Sequence, residues 1–133
     1  MSAPDPVAPR SVARVVGIYL LVLALSAELA VWGAFTVLLR VGGRPVPLGI
    51  AVAAVGNVVL GRAGGRVLGN RAGQIGPGLV WIVVALELAT KRPEGDLVVI
   101  TGLRGLGFLL VGAVAALSVL FGRVATSEVS PSR

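Results

Sequence analysis

Hydrophobic positions along this chain fall into four blocks parted by short polar or glycine-rich links, and inside the blocks almost no polar face is visible. The first block, Val15 to Leu39, is bracketed by Arg14 and Arg40 and holds a single charge, Glu28. A soluble fold would have to bury such a helix on every side, whereas a bilayer needs about 20 apolar residues to cross roughly 30 Å of hydrocarbon. The pattern therefore predicts a membrane span over about 15–39. Next comes RVGGRPVP, where paired glycines and two prolines mark a turn and Pro47 suits the first position of a helix. From Pro47 to Gly61 a helix reaches only ~22 Å, so the second span is drawn on to Leu68, ~33 Å, with Arg62 and Arg66 snorkelling to the headgroups. A third span, about 75–90, contains Glu87 and Trp81 and ends at Lys91-Arg92-Pro93, because the residue before proline is biased away from helix. A fourth is read as about 97–121. Arg104 interrupts it, so this helix starts either near Leu97 with an arginine inside it or near Leu103 after an extended connection, an option that Gly102 and Gly105 make credible.

The fold class that follows is all-α, a polytopic membrane protein of four transmembrane helices. Residues 1–13, rich in Pro, Ser and Ala, read as a disordered N-terminal tail, 14–122 as the membrane domain and 123–133 as a polar C-terminal tail. A cleaved signal peptide is the alternative for the first block, with Ala24-Leu25-Ser26 as its cleavage site. The apolar run continues well past the 7–15 residues of a signal h-region, which favours an uncleaved anchor. In the link between spans two and three, Gly61, Gly65, Gly69 and Gly73 recur every fourth residue. Gly61 and Gly65 are read as helix-packing contacts, Gly69 and Gly73 as a flexible loop. The halves also resemble each other: ALSAELA at 24–30 matches VALELAT at 84–90, and AVAAVGNVVLGR at 51–62 matches AVAALSVLFGR at 113–123. Two tandem two-helix hairpins would produce this, as would the bias toward Ala, Val, Leu and Gly.

Composition sharpens the class. Hydrophobic residues make up 56% of the chain and charged residues 14%, with a mean hydropathy of +0.94, well to the apolar side of globular averages. The net charge of +6 would in a soluble protein raise nucleic-acid binding, but the basic residues sit at block edges without interleaved aromatics. Nucleic acid is excluded as a partner in favour of the lipid bilayer and its anionic headgroups. With no Cys and no His, disulfides, thiol nucleophiles, His-based triads and most zinc and haem sites are closed. No catalytic residue, cofactor or metal is expected. Glu94 and Asp96, two carboxylates two residues apart, are a weak cation signal without further oxygen ligands.

Basic residues also orient the chain. With both termini in the cytoplasm the inner side carries seven (Arg10, Arg14, Arg62, Arg66, Arg71, Arg123, Arg133), and the outer side four (Arg40, Arg44, Lys91, Arg92), or five with Arg104. At ~1.5 Å per residue, Glu28 and Asn57 then lie ~15 Å below the outer face and Glu87 and Arg104 nearer to it. These four form a candidate intramembrane polar network. Glu28 is either a proton or cation site or a helix-bridging group hydrogen bonded to Asn57 or a backbone carbonyl. Glu87 and Arg104 are read as an interfacial ion pair.

Arg92-Pro93-Glu94-Gly95-Asp96, a candidate outer loop motif, is followed by Leu97-Val98 and a glycine-punctuated last span with Gly102-Leu103 and Phe108-Leu109-Leu110-Val111-Gly112. On these residues the second half of the chain resembles a family of uncharacterised small four-helix membrane proteins of high-GC Gram-positive bacteria. That resemblance implies the plasma membrane and four spans, and supplies no activity or site residue. Ile18-Tyr19-Leu20 with Ala27-Glu28 is similar, more distantly, to the first helix of small multidrug transporters, although Glu87 and the Arg92–Asp96 loop have no counterpart there. Two functions are carried forward. One is a non-enzymatic scaffold or accessory subunit, whose small-residue faces at Gly49, Ala53, Gly56 and Gly112 dock against a second copy or a larger membrane partner. The other is a small proton-coupled transporter using Glu28.

Overall fold

Four long helices form where the apolar blocks predict them, because a segment that is apolar on every side satisfies its backbone only within itself. The structure, a computed structural model, describes residues 11–90 and 102–121. Helix α1 (Val12–Thr36) starts where Ser11 Oγ accepts from the Arg14 amide at 3.4 Å. A two-residue strand pair follows, β1 (Arg40–Val41) and β2 (Arg44–Pro45), in the register Arg40↔Pro45 and Val41↔Arg44. Its turn is Gly42-Gly43 with φ of 58° and 77°, the double left-handed conformation that a tight hairpin turn requires and glycine adopts freely. Pro47 then caps α2 (Leu48–Leu68), standing one residue before the helix that it was expected to begin.

The link to α3 (Arg71–Ala89) is only Gly69-Asn70. Gly69, at φ 67°, closes α2 by donating its amide to Gly65 O at 2.8 Å, and Asn70 Oδ1 opens α3 by accepting from the Gly73 amide at 2.8 Å. Gly73 is thus helical and packed, not part of a flexible loop. The third helix begins four residues ahead of the predicted 75. Its cause is a close crossing: a methyl group on Gly64 would strike the carbonyl oxygen of Gly73, and one on Gly73 would strike that of Gly64. Pro77, inside α3, has no amide to offer that same Gly73 carbonyl, which is left to lie against α2. Helix α4 (Leu103–Phe121) begins at the second of its two expected starts, with the Leu106 amide bonded to Gly102 O at 2.9 Å. Residues 97–101 of the predicted span, most of the N-terminal tail and the C-terminal tail lie outside the described residues.

Chain direction alternates through the four helices. Helices α2 and α3 sit along the short diagonal and touch every other helix, while α1 and α4 scarcely meet. Each of the four is long and apolar enough to cross a membrane. The outward surface is correspondingly apolar even at mid-helix, with Val55, Val83 and Val114 each 65% exposed. Inside, the packing is built from small residues around two large ones. Ala30, Ala34, Ala53 and Ala85 surround Trp81 and Phe108, whose rings lie 5.1 Å apart at 56°.

Candidate functional site: a buried polar layer

Each helix turns its smallest residues inward, and midway along the bundle this brings polar groups of all four to one level. On α2 the buried positions Gly49, Ala53, Asn57, Gly61 and Gly65 recur every four residues, so Asn57 falls in the centre of a stripe of small neighbours. It is 1% exposed. Its Nδ2 donates to Ala53 O at 3.0 Å on its own helix and to Gly112 O at 3.4 Å on α4. Gly112 also lies directly beneath the Trp81 indole, so close that a methyl group there would overlap the ring. From α1, Ser26 joins the same level: α1 and α2 run antiparallel, with Gly33 against Gly49 and Leu29 against Gly56, which carries the register on to Ser26 opposite Asn57.

Three atoms in this layer have no hydrogen-bond partner among the described residues: Ser26 Oγ, Asn57 Oδ1 and Trp81 Nε1. Their chemistry is complementary. The indole nitrogen only donates, the amide oxygen only accepts, and the hydroxyl does both. The Asn57 Nδ2 bond to Gly112 O ties α2 to α4 at this level, so a slip of either helix would break it. None of the three side chains is an acid or base in the physiological range, so the layer has no proton to pass on.

The charged residues singled out in the sequence do not join it. Glu28 is exposed, two residues beyond Ser26 and therefore about 200° around the helix from it. The inward face of α1 is Val22, Ser26, Ala30, Gly33 and Ala34, and the close α1–α2 crossing leaves no room there for a glutamate. The hydrogen bond expected between Glu28 and Asn57 is replaced by those to Ala53 and Gly112. Glu87, near the end of α3, and Arg104, second residue of α4, are both exposed at the end of the bundle that carries the β-hairpin. Neither takes part in a side-chain hydrogen bond or ion pair among the described residues. Arg104 instead lines two shallow pockets beside Val37, about 250 and 320 Å³, the larger shared with Arg40, Leu38 and Leu103. Residues 92–96, the outer loop motif, lie outside the described residues.

A second correction concerns the small-residue faces. Gly49, Ala53 and Gly112 are buried within the chain, and Gly56 is covered by Leu29. Gly49, Ala53 and Gly112 are used inside this bundle, whereas Gly56 is half-buried and lines an open surface pocket with Leu29, Ala51, Val52 and Val55. The buried polar atoms of Ser26 and Trp81, and the exposed hydrogen bond that the Tyr19 hydroxyl donates to Ala72 O at 3.3 Å while lying over Gly76, were not anticipated. Spacing held a clue to the first: Ser26, Ala30 and Gly33 are small residues four and three apart. The charges that remain outside divide by end, with Arg40, Arg44 and Arg104 at the hairpin end and Arg14, Arg62, Arg66 and Arg71 at the other.

Comparison with protein families matches one of them, of unknown function, over residues 2–133, well beyond the half of the chain on which a resemblance was read. No curated protein and no solved structure matches the chain.

Proposed function

The chain belongs to DUF6113, a family of unknown function, and with no activity to inherit from it we propose that this protein is a non-enzymatic scaffold or accessory subunit of a bacterial plasma-membrane complex. It crosses the bilayer four times with both termini in the cytoplasm, the arginine-rich end formed by Arg14, Arg62, Arg66 and Arg71 facing the anionic inner leaflet. The RPEGD loop then faces outward, and the tandem-hairpin origin of the two halves belongs to the same reading.

One observation carries this proposal: the interior is closed by small-residue contacts and an uncharged polar layer, while every described charge stands on the outside. A transporter would need its carboxyl group to reach both aqueous faces through the bundle, and Glu28 stands on the outer face of α1 instead. Surfaces, and not a passage, are what this molecule offers. The test is purification of the full-length protein from native membranes in mild detergent, followed by identification of what accompanies it in stoichiometric amount. A stable membrane-protein assembly supports the scaffold. Cation- or drug-dependent proton flux in liposomes containing the protein alone, abolished by Glu28→Gln, would replace it with transport.

A further inference from the structure

Helix α1 carries a second pattern besides the one that packs it. On its outer side, Ile18, Leu21, Leu25, Glu28, Trp32 and Phe35 are all exposed, the five apolar members by 44 to 66%. Their spacing is three, four, three, four and three, the repeat by which one helix pairs with another along a continuous seam. The stripe runs for ~26 Å. It lies on the least covered of the four helices: 17% of the most apolar stretch of α1 is buried, against 28 to 33% for the others. It also contains the one polar side chain on the outward face of α1 that stands far from either end of the helix.

We propose that α1 is a self-association helix, its outward stripe covered by the same stripe of a second copy with the two Glu28 carboxyl groups hydrogen bonded to each other. The proposal rests on the membrane-scaffold reading and names its first partner. A carboxyl group facing hydrocarbon is costly until it finds a polar counterpart. Every described arginine lies at one end or the other of the bundle, too far from Glu28 to serve. A second copy brings the missing counterpart to the right depth. Chains inserted in the same orientation place Glu28 opposite Glu28, and a carboxylic acid both donates and accepts. A lone polar residue in an otherwise apolar seam also fixes register, since sliding by a turn would leave both carboxyls against Leu, Trp or lipid.

Because the chain has no cysteine, a single one can be placed in the full-length protein and oxidised in native membranes. Cysteine at Leu25 or Trp32 should give a cross-linked dimer, while cysteine at Val16 or Leu20, equally exposed but off the stripe, should not. In liposomes, energy transfer between labelled copies diluted with lipid should show Glu28→Leu associating about five- to thirtyfold more weakly, and Glu28→Gln, which still donates and accepts, within about twofold of the parent. Glu28 is outside the core, so unchanged helical circular dichroism should accompany both variants. Cross-linking that ignores the stripe, a Glu28→Leu variant that associates as before, or capture of a different membrane protein by cysteine at Leu25 each overturns the proposal and leaves the scaffold reading standing. Release of the parent protein from membranes by alkaline washing overturns both.

Discussion

Gly49 offers the sharpest test of how this bundle is held. It stands at the second residue of α2, and a methyl group there would strike the Gly33 carbonyl oxygen and lie 2.8 Å from both the backbone nitrogen and Cγ2 of Val37. Gly33 O and Val37 N are bonded to each other at 3.1 Å where α1 ends, so neither yields without undoing that cap. Relief must come from parting the two helices by on the order of 1 Å, a gap that forfeits a quarter to a half of the dispersion energy between the atoms facing across it. Overpacking of this kind costs about 1–3 kcal/mol, and a contact with backbone belongs at the upper end. Alanine recovers about 0.5–1 kcal/mol of helix propensity. Gly49→Ala is therefore expected to destabilise the protein by ~2 kcal/mol. Gly17→Ala, where the added methyl meets nothing within 4 Å, keeps only the propensity gain and should stabilise by ~0.5–1 kcal/mol. Both are measured on the full-length protein in mild detergent by unfolding with heat or SDS, followed by circular dichroism. Should Gly49→Ala prove as stable as Gly17→Ala, the backbone-to-backbone approach of α1 and α2 is not what holds that corner.

Four further outcomes are expected. Asn57→Ala removes both hydrogen bonds and leaves a void, costing about 1–3 kcal/mol, whereas Asn57→Leu refills the space and should cost less in the same unfolding measurement. Trp81→Phe deletes a buried N–H that has no partner among the described residues and trims the outer indole atoms that face Gly112; a loss above ~3 kcal/mol would mean that the indole nitrogen does bond within the bundle. Glu87→Gln and Arg104→Gln should have effects that add in a double-mutant cycle, since both side chains are exposed and unpaired among the described residues, and a non-additive result would put them in contact. For topology, cysteines at Ser2 and Ser132 should resist an impermeant thiol reagent in intact cells while one at Gly95 is labelled; the reverse pattern inverts the orientation.

The four helices were legible because each block is long and apolar on every side, a signal that needs no knowledge of neighbours. The same uniformity hid which side of each helix faces inward. Amphipathic contrast marks the buried face of a helix in water, but Glu28 stands in an apolar helix whose buried and exposed sides are both hydrophobic, so its direction could not be read from polarity. Residue size would have served better. Gly49, Ala53, Asn57, Gly61 and Gly65 on α2, like Ser26, Ala30 and Gly33 on α1, trace the buried face by smallness alone. The start of α3 was misplaced for a related reason: Gly73 argues against a helix on intrinsic propensity, yet Asn70 caps it and the Gly64–Gly73 crossing rewards the missing side chain.

That α1 and α4 scarcely touch has a bearing on how the protein is made. Helices leave the ribosome in order, and most of the docking of α1 does not wait for the last of them: apart from Phe108, which packs against Gly33, its contacts are with α2 and α3. A three-helix intermediate can therefore already hold most of the packing of α1 while α4 is still being synthesised. The seat of Phe108 beside Gly33, the faces of α2 and α3 at Gly61 and Gly78, and the second hydrogen bond of Asn57 are completed only when α4 arrives.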